Sequence, residues 1–147
     1  MNFYTNLTNR GVLQFLGPDT RTFLQGQTTC DIAELDTSGT LVGAYCTPQG
    51  RMVCDFRVVP LNDEDCLLIM HRSICESSAA AFGKYIVFSK SEISLASDDW
   101  TVFALWGDDL SDVTAGADTH GAIWRAVDDS GHRYECYCPT SAIDKVE

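Results

Sequence analysis

Apolar residues in this chain come in short runs separated by turn-forming clusters, with no long helical stripe. Val12–Leu16 (VLQFL) stops at Gly17-Pro18-Asp19, where glycine and proline end regular structure and an Asp carboxylate can accept from the next free amides. This predicts a strand, then a short helix over Thr20–Gln25 with Phe23 and Leu24 inward and Gly26 taking the left-handed position that ends it. Leu41–Cys46 and Arg51–Pro60 flank the loop TPQG, a hairpin signal in which Gly50 suits positive φ. Along the second arm residues two apart share a face. Met52, Cys54, Phe56 and Val58 should therefore lie on one side, and Val53, Asp55, Arg57 and Val59 on the other.

After the Asn62–Asp65 turn, Cys66–Met70 (CLLIM) predicts a third strand. Ser73-Ile74-Cys75-Glu76 reads as a capping box ahead of a helix, and Ile86–Phe88 with Ile93–Leu95 as a fourth strand region. A new unit begins after Asp98-Asp99. Thr101–Trp106 (TVFALW) reads as a buried strand and Gly107-Asp108-Asp109 as a helix start, while Ile123–Val127 and Tyr134–Cys138 flank the turn Asp128–Gly131. The division predicted is 1–99 and 100–147. The second unit reads β-α-β-β, one strand short of a ferredoxin-like β-α-β-β-α-β repeat. Tyr134–Val146 should then present an unmatched sheet edge or apolar face, and the chain reads as the N-terminal portion of a longer protein. The fold class is α+β, with mostly antiparallel strands.

One stretch breaks the apolar rhythm. In FLQGQTTCDI (Phe23–Ile32), the seven residues Gln25–Asp31 carry no aliphatic or aromatic side chain. Two readings fit: a turn that meets ligand and solvent, or a turn whose polar side chains satisfy their own backbone amides.

Composition narrows the function classes. With 147 residues, 45% hydrophobic and 21% charged, the chain can bury a real core. Its net charge of -11 opposes attraction to nucleic-acid phosphates and to anionic membranes, so neither is expected as a direct partner. No basic-then-apolar leader or run of about 18 apolar residues occurs, and the chain reads as cytoplasmic. The seven cysteines are an odd number without an export signal, which predicts free thiols. Cys136 and Cys138 could face one way on a strand, but no second Cys/His cluster has zinc-ligand spacing. Glycine-rich nucleotide loops are absent. The polar spots left for chemistry are Asp55 with Arg57, and His71 with Arg72.

The runs LQFLGPDTRTFLQGQTTCDI, AYCTPQGRMVCDFRVV, CLLIMHRS and KYIVFSKSEI together resemble the YgfZ-like relatives of the glycine-cleavage T-protein (aminomethyltransferase), a tetrahydrofolate-binding superfamily. The resemblance spans about Leu13 to Phe103. It implies paired ferredoxin-like units enclosing a pocket for tetrahydrofolate or a derivative, with Asp55, Arg72, Gln27, Met52 and His71 as folate-binding residues and none catalytic. Where aminomethyltransferases carry an Asp-Asp pair near the folate's reacting nitrogens, this chain has Cys54-Asp55, so only the second carboxylate remains. Arg72 matches the YgfZ side and is suited to receiving folate carboxylates. The Lys-Gly-Cys motif of the YgfZ group, which carries its reactive cysteine, occurs nowhere in the 147 residues. The resemblance ties the chain to iron–sulfur enzyme maintenance and tRNA modification, with a folate as ligand and iron–sulfur proteins as partners. Two other readings stay open: an aminomethyltransferase-type one-carbon enzyme with Asp55 near the pterin, and a docking module whose acidic surface meets a basic protein.

Overall fold

The computed structural model describes residues 2–110 and 121–143. Among them run β1 (Asn2–Asn6), β2 (Arg10–Leu16), α1 (Thr20–Gln27), α2 (Leu35–Ser38), β3 (Leu41–Cys46), β4 (Met52–Pro60), β5 (Cys66–His71), α3 (Cys75–Ile86), β6 (Glu92–Leu95), β7 (Trp100–Gly107), β8 (Ile123–Ala126) and β9 (Arg133–Pro139). They form an α+β fold of two antiparallel sheets, as expected. Asn9–Ala96 holds a five-stranded sheet in the order β3-β4-β5-β2-β6, and Met1–Thr8 with Ser97–Glu147 holds a four-stranded sheet in the order β1-β7-β9-β8.

Without α2 and β3, the Asn9–Ala96 unit runs β2-α1-β4-β5-α3-β6, the ferredoxin-like alternation. Its core lies between sheet and helices. Leu13, Phe15, Cys54, Phe56, Val58, Leu68 and Met70 from the strands meet Phe23 and Leu24 of α1 and Phe82 of α3. The Phe82 ring is the hub, 4.7 Å from Tyr45 and 5.4 Å from Phe15, both edge-on. CLLIM is apolar without alternation because β5 is buried on both faces: Leu67 and Ile69, opposite the helices, are as hidden as Leu68 and Met70.

The predicted hairpin is present, with β3 and β4 antiparallel around TPQG and Gly50 at φ +86°. Its alternation holds for Cys54, Phe56 and Val58 but not for Met52. Tyr45 pairs with Cys54 and Cys46 with Met52, so Val53 is an extra residue in a bulge. The bulge resets the pleat and leaves Met52 62% exposed instead of in the core.

Several local expectations give way to other partners. Helix α1 runs through Gly26, which has no positive φ, and ends at Thr28 in extended geometry. Asp19 precedes α1 without capping it, because its carboxylate accepts from the Lys90 amide at 2.8 Å. The Ser73–Glu76 capping box does not form, and Ser73 instead lies in a 3-10 turn, Arg72–Ile74, capped by His71. Ile86 ends α3, so the fourth strand of this unit is Glu92–Leu95 alone.

The largest revision concerns the second sheet. Its missing fourth strand is β1, which pairs antiparallel with β7 from Asn2↔Gly107 to Asn6↔Phe103. Residues 2–7, grouped with the first unit on sequence, thus hydrogen-bond with the second. No unmatched edge appears along β9, which lies between β7 and β8. Cys136 and Cys138 do share a face, and they pack with Phe103 and Ala122 as core. The helix expected from Gly107-Asp108-Asp109 and the end of the Tyr134–Val146 stretch fall largely outside the described residues.

Candidate functional site

The polar run Gln25–Asp31 spends most of its side chains on backbone. Gln25 Oε1 accepts from the Ile32 amide at 2.7 Å, and Thr28 Oγ1 donates to the Leu24 carbonyl at 2.6 Å. Thr29 Oγ1 accepts from the Ala44 amide at 2.9 Å, and Asp31 caps the 3-10 turn Ile32–Glu34. These bonds let the chain leave α1 and cross to β3, where Thr28 bridges Tyr45. Gly43 makes room for the crossing, because a side chain there would collide with the Cys30 sulfur. The seven polar residues therefore solve a turn problem. Gln27 is the exception: no hydrogen bond engages its half-buried side chain among the described residues.

The fold gathers the five residues expected to hold folate at one end of the Asn9–Ala96 sheet. Gln27 precedes Thr28, Thr28 bridges Tyr45, Tyr45 pairs with Cys54, and Cys54 lies between Met52 and Asp55 on the same strand. The β4–β5 register ends at Arg57↔Ile69. Two residues further in that direction stand Asp55 on β4 and His71 on β5, and His71 is paired on its other side with Arg10 of β2. Arg72 follows at once, its amide donating to the Asn9 carbonyl at 2.7 Å.

Within this end the residues have distinct occupations. Asp55 is exposed, and no hydrogen bond or ion pair engages its carboxylate among the described residues. Arg57 turns instead to Thr40, donating to Oγ1 at 3.4 Å, so Asp55 and Arg57 do not neutralise each other. Cys54 points inward at 2% exposure, and burial pushes its thiol up from the ordinary value, which keeps it protonated and a poor nucleophile. His71 has a structural task. Its Nδ1 accepts from the Ser73 amide at 3.2 Å, which places the proton of a neutral ring on Nε2 and leaves that nitrogen for other partners. Arg10 is the residue at this end that the sequence does not single out. The signal was a charged residue opening an otherwise apolar strand, and only the β2–β5 register shows that it stands beside His71.

Among the described residues no cluster of His, Cys, Asp and Glu could hold a metal ion, and all seven cysteines are free thiols. No helix among them is long and apolar enough to cross a membrane.

Comparison with known proteins sets this arrangement in context. No protein-family model matches the chain. A tRNA-modifying protein YgfZ from Photobacterium profundum is 36% identical over 93 residues, which is 63% of this chain and 28% of that protein. The protein of the same name from Photorhabdus laumondii subsp. laumondii is 37% identical over 94 residues, 64% of this chain and again 28% of the relative. The chain is YgfZ-like. The resemblance read from its motifs is borne out, although the chain spans less than a third of the length of these YgfZ relatives. Aminomethyltransferase T of the glycine cleavage system from Bartonella henselae superposes with a TM-score of 0.79 at 13% identity, covering 99% of this chain and 45% of that one. That likeness establishes the fold of the YgfZ-like chain and nothing of its chemistry.

Proposed function

We propose that this YgfZ-like chain binds a reduced folate at the end of the Asn9–Ala96 sheet where Gln27, Met52, Asp55, His71 and Arg72 are gathered. The observation that carries the reading is that common location, reached from the end of α1, two strands and the 3-10 turn at Arg72, which are separate in sequence. The residues fit the ligand's chemistry. Asp55, an exposed carboxylate without a partner among the described residues, is an acceptor suited to the N–H groups of a pterin. Arg72 offers a guanidinium fork for the glutamate carboxylates of the folate tail. Met52, turned outward by the bulge, supplies a flexible apolar contact. A bound tetrahydrofolate would supply one-carbon chemistry, while these residues bind and orient it.

The relatives' name supports placing the whole protein in tRNA modification, and the resemblance extends this to iron–sulfur enzyme maintenance. The aminomethyltransferase reading is less supported. Cys54 replaces the first carboxylate of the pair, faces the core and holds its proton, so one acceptor is left where transfer uses two.

Calorimetric titration of 5-formyltetrahydrofolate into wild type, Asp55→Ala and Arg72→Ala tests the reading. Each substitution should weaken binding about tenfold or more, the scale of one lost charge-assisted hydrogen bond. Equal affinity in all three proteins, or no binding to wild type, would overturn it.

A further inference from the structure

We propose that the sheet of the other unit carries a second binding site, a hollow beside Trp106 that takes a small planar aromatic ligand bearing a single negative charge. The register builds the site. Phe3 on β1 pairs with Trp106 on β7, and Trp106 pairs with Arg133 on β9, so two aromatic rings and a guanidinium stand in one row across three strands. The Phe3 and Trp106 rings stack 5.8 Å apart at 21°, which fixes the indole plane. In the next row Thr5 pairs with Ala104, and these small side chains leave a recess behind the indole. The hollow measures about 600 Å³, and Asp108, His132 and Arg133 line it with Trp106, Thr5 and Ala104.

Phe3 is 48% and Trp106 41% exposed, a costly place for large apolar rings unless something covers them. No hydrogen bond or ion pair engages the Arg133 guanidinium among the described residues. An apolar wall with a few polar groups at its rim is the usual make-up of a small-molecule site. The charges choose the ligand. Arg133 attracts one anionic group, and the Asp108 carboxylate lining the same hollow repels a second. The chain's net charge of -11 further opposes an extended polyanion such as a nucleic-acid strand. Every residue of this site belongs to the unit of Met1–Thr8 and Ser97–Glu147.

Quinoline-2-carboxylate and its neutral isostere quinoline-2-carboxamide are suitable probes, followed by NMR of the indole N–H resonances of the full chain. In wild type the Trp106 resonance should shift with both, and the carboxylate should bind about tenfold more tightly, as a charged hydrogen bond contributes. Arg133→Gln should reduce that ratio to about one. If Arg133 merely shielded the indole, its replacement would leave the carboxylate-to-carboxamide ratio intact. That result, or a Trp106 resonance unmoved by either probe, would overturn the proposal.

Discussion

The two sheets reach a similar strand order by different routes, and the difference shows in where their aromatic residues go. In the Asn9–Ala96 unit all the strands follow one another in sequence, and Phe15, Phe23, Tyr45, Phe56 and Phe82 converge in one sealed cluster. In the other unit the edge strand comes from the opposite end of the chain, and Phe3 and Trp106 meet on the outer part of the sheet, where both stay exposed. A contiguous unit can seal its core with local helices. A unit closed by a distant strand depends on that strand both to finish the sheet and to shape the surface beside it.

Removing residues 1–8 puts the largest strain on this comparison. Without β1, the β7 strand loses five paired positions and becomes an open edge. Amide exchange in β7 should accelerate by roughly a hundredfold or more, equivalent to about 3 kcal/mol of lost local stability. Protection in β4 and β5 should change by less than about tenfold, since none of their pairing involves β1. Equal loss in both sheets would mean that they unfold as one cooperative body and that the contrast between them is only topological.

Alkaline pH should act on the contiguous unit through Cys66. This thiol is fully buried at the start of β5, and burial pushes it up from 9.0 to about 11. Below pH 9 it is neutral folded and unfolded, so its contribution to stability is complete. Between pH 9 and about 11 the unfolded chain ionises while the folded chain does not, and stability falls; above about 11 the loss levels off. The full effect is about 2–3 kcal/mol. Burial pushes Cys30 and Cys54 of the same unit in the same direction. Urea midpoints measured from pH 8 to 11 should therefore drop less steeply for Cys66→Ala than for wild type. Parallel curves would remove the thiol from the account.

What could be read from the sequence follows the range of the interaction that decides each element. The TPQG hairpin, the β5 run and the helix holding Phe82 are set by neighbours within a few residues, and all three are present as expected. The capping of α1 and α3 was misread because other groups compete for the same atoms: the Asp19 carboxylate goes to the distant Lys90 amide, and the ring of nearby His71 takes the Ser73 amide. The fate of Asn2–Asn6 could not be read at all. Its Phe3, Tyr4 and Thr5 suit a strand, but nothing local says that its partner is β7. At the candidate site, the family resemblance supplied the individual residues as expectations. Their gathering at one sheet end, and the presence of Arg10 there, needed the register. The bulge that turns Met52 outward is likewise a two-strand property, because it depends on how Cys46 and Tyr45 meet β4.

The smallest predicted effect bears on Gly26, the residue whose expected role the fold removes. It lies inside α1 with no positive φ, and a Cβ built on it would meet no atom within 4 Å. Glycine in a helix costs about 0.5–1 kcal/mol relative to alanine, so Gly26→Ala should raise the thermal midpoint by a few degrees. The gain belongs near the lower figure, because Gly26 is next to the last residue of the helix. A stabilising replacement of this kind raises the question of what the glycine is for. It adjoins Gln27, the one member of the polar run whose side chain the turn does not use, so close approach of a ligand would account for the missing Cβ. Thermal melts and 5-formyltetrahydrofolate titration of Gly26→Ala separate the two possibilities. Greater stability with weaker folate binding would place the bare backbone of α1 against the ligand, whereas greater stability with unchanged binding would leave Gly26 without a role in the site.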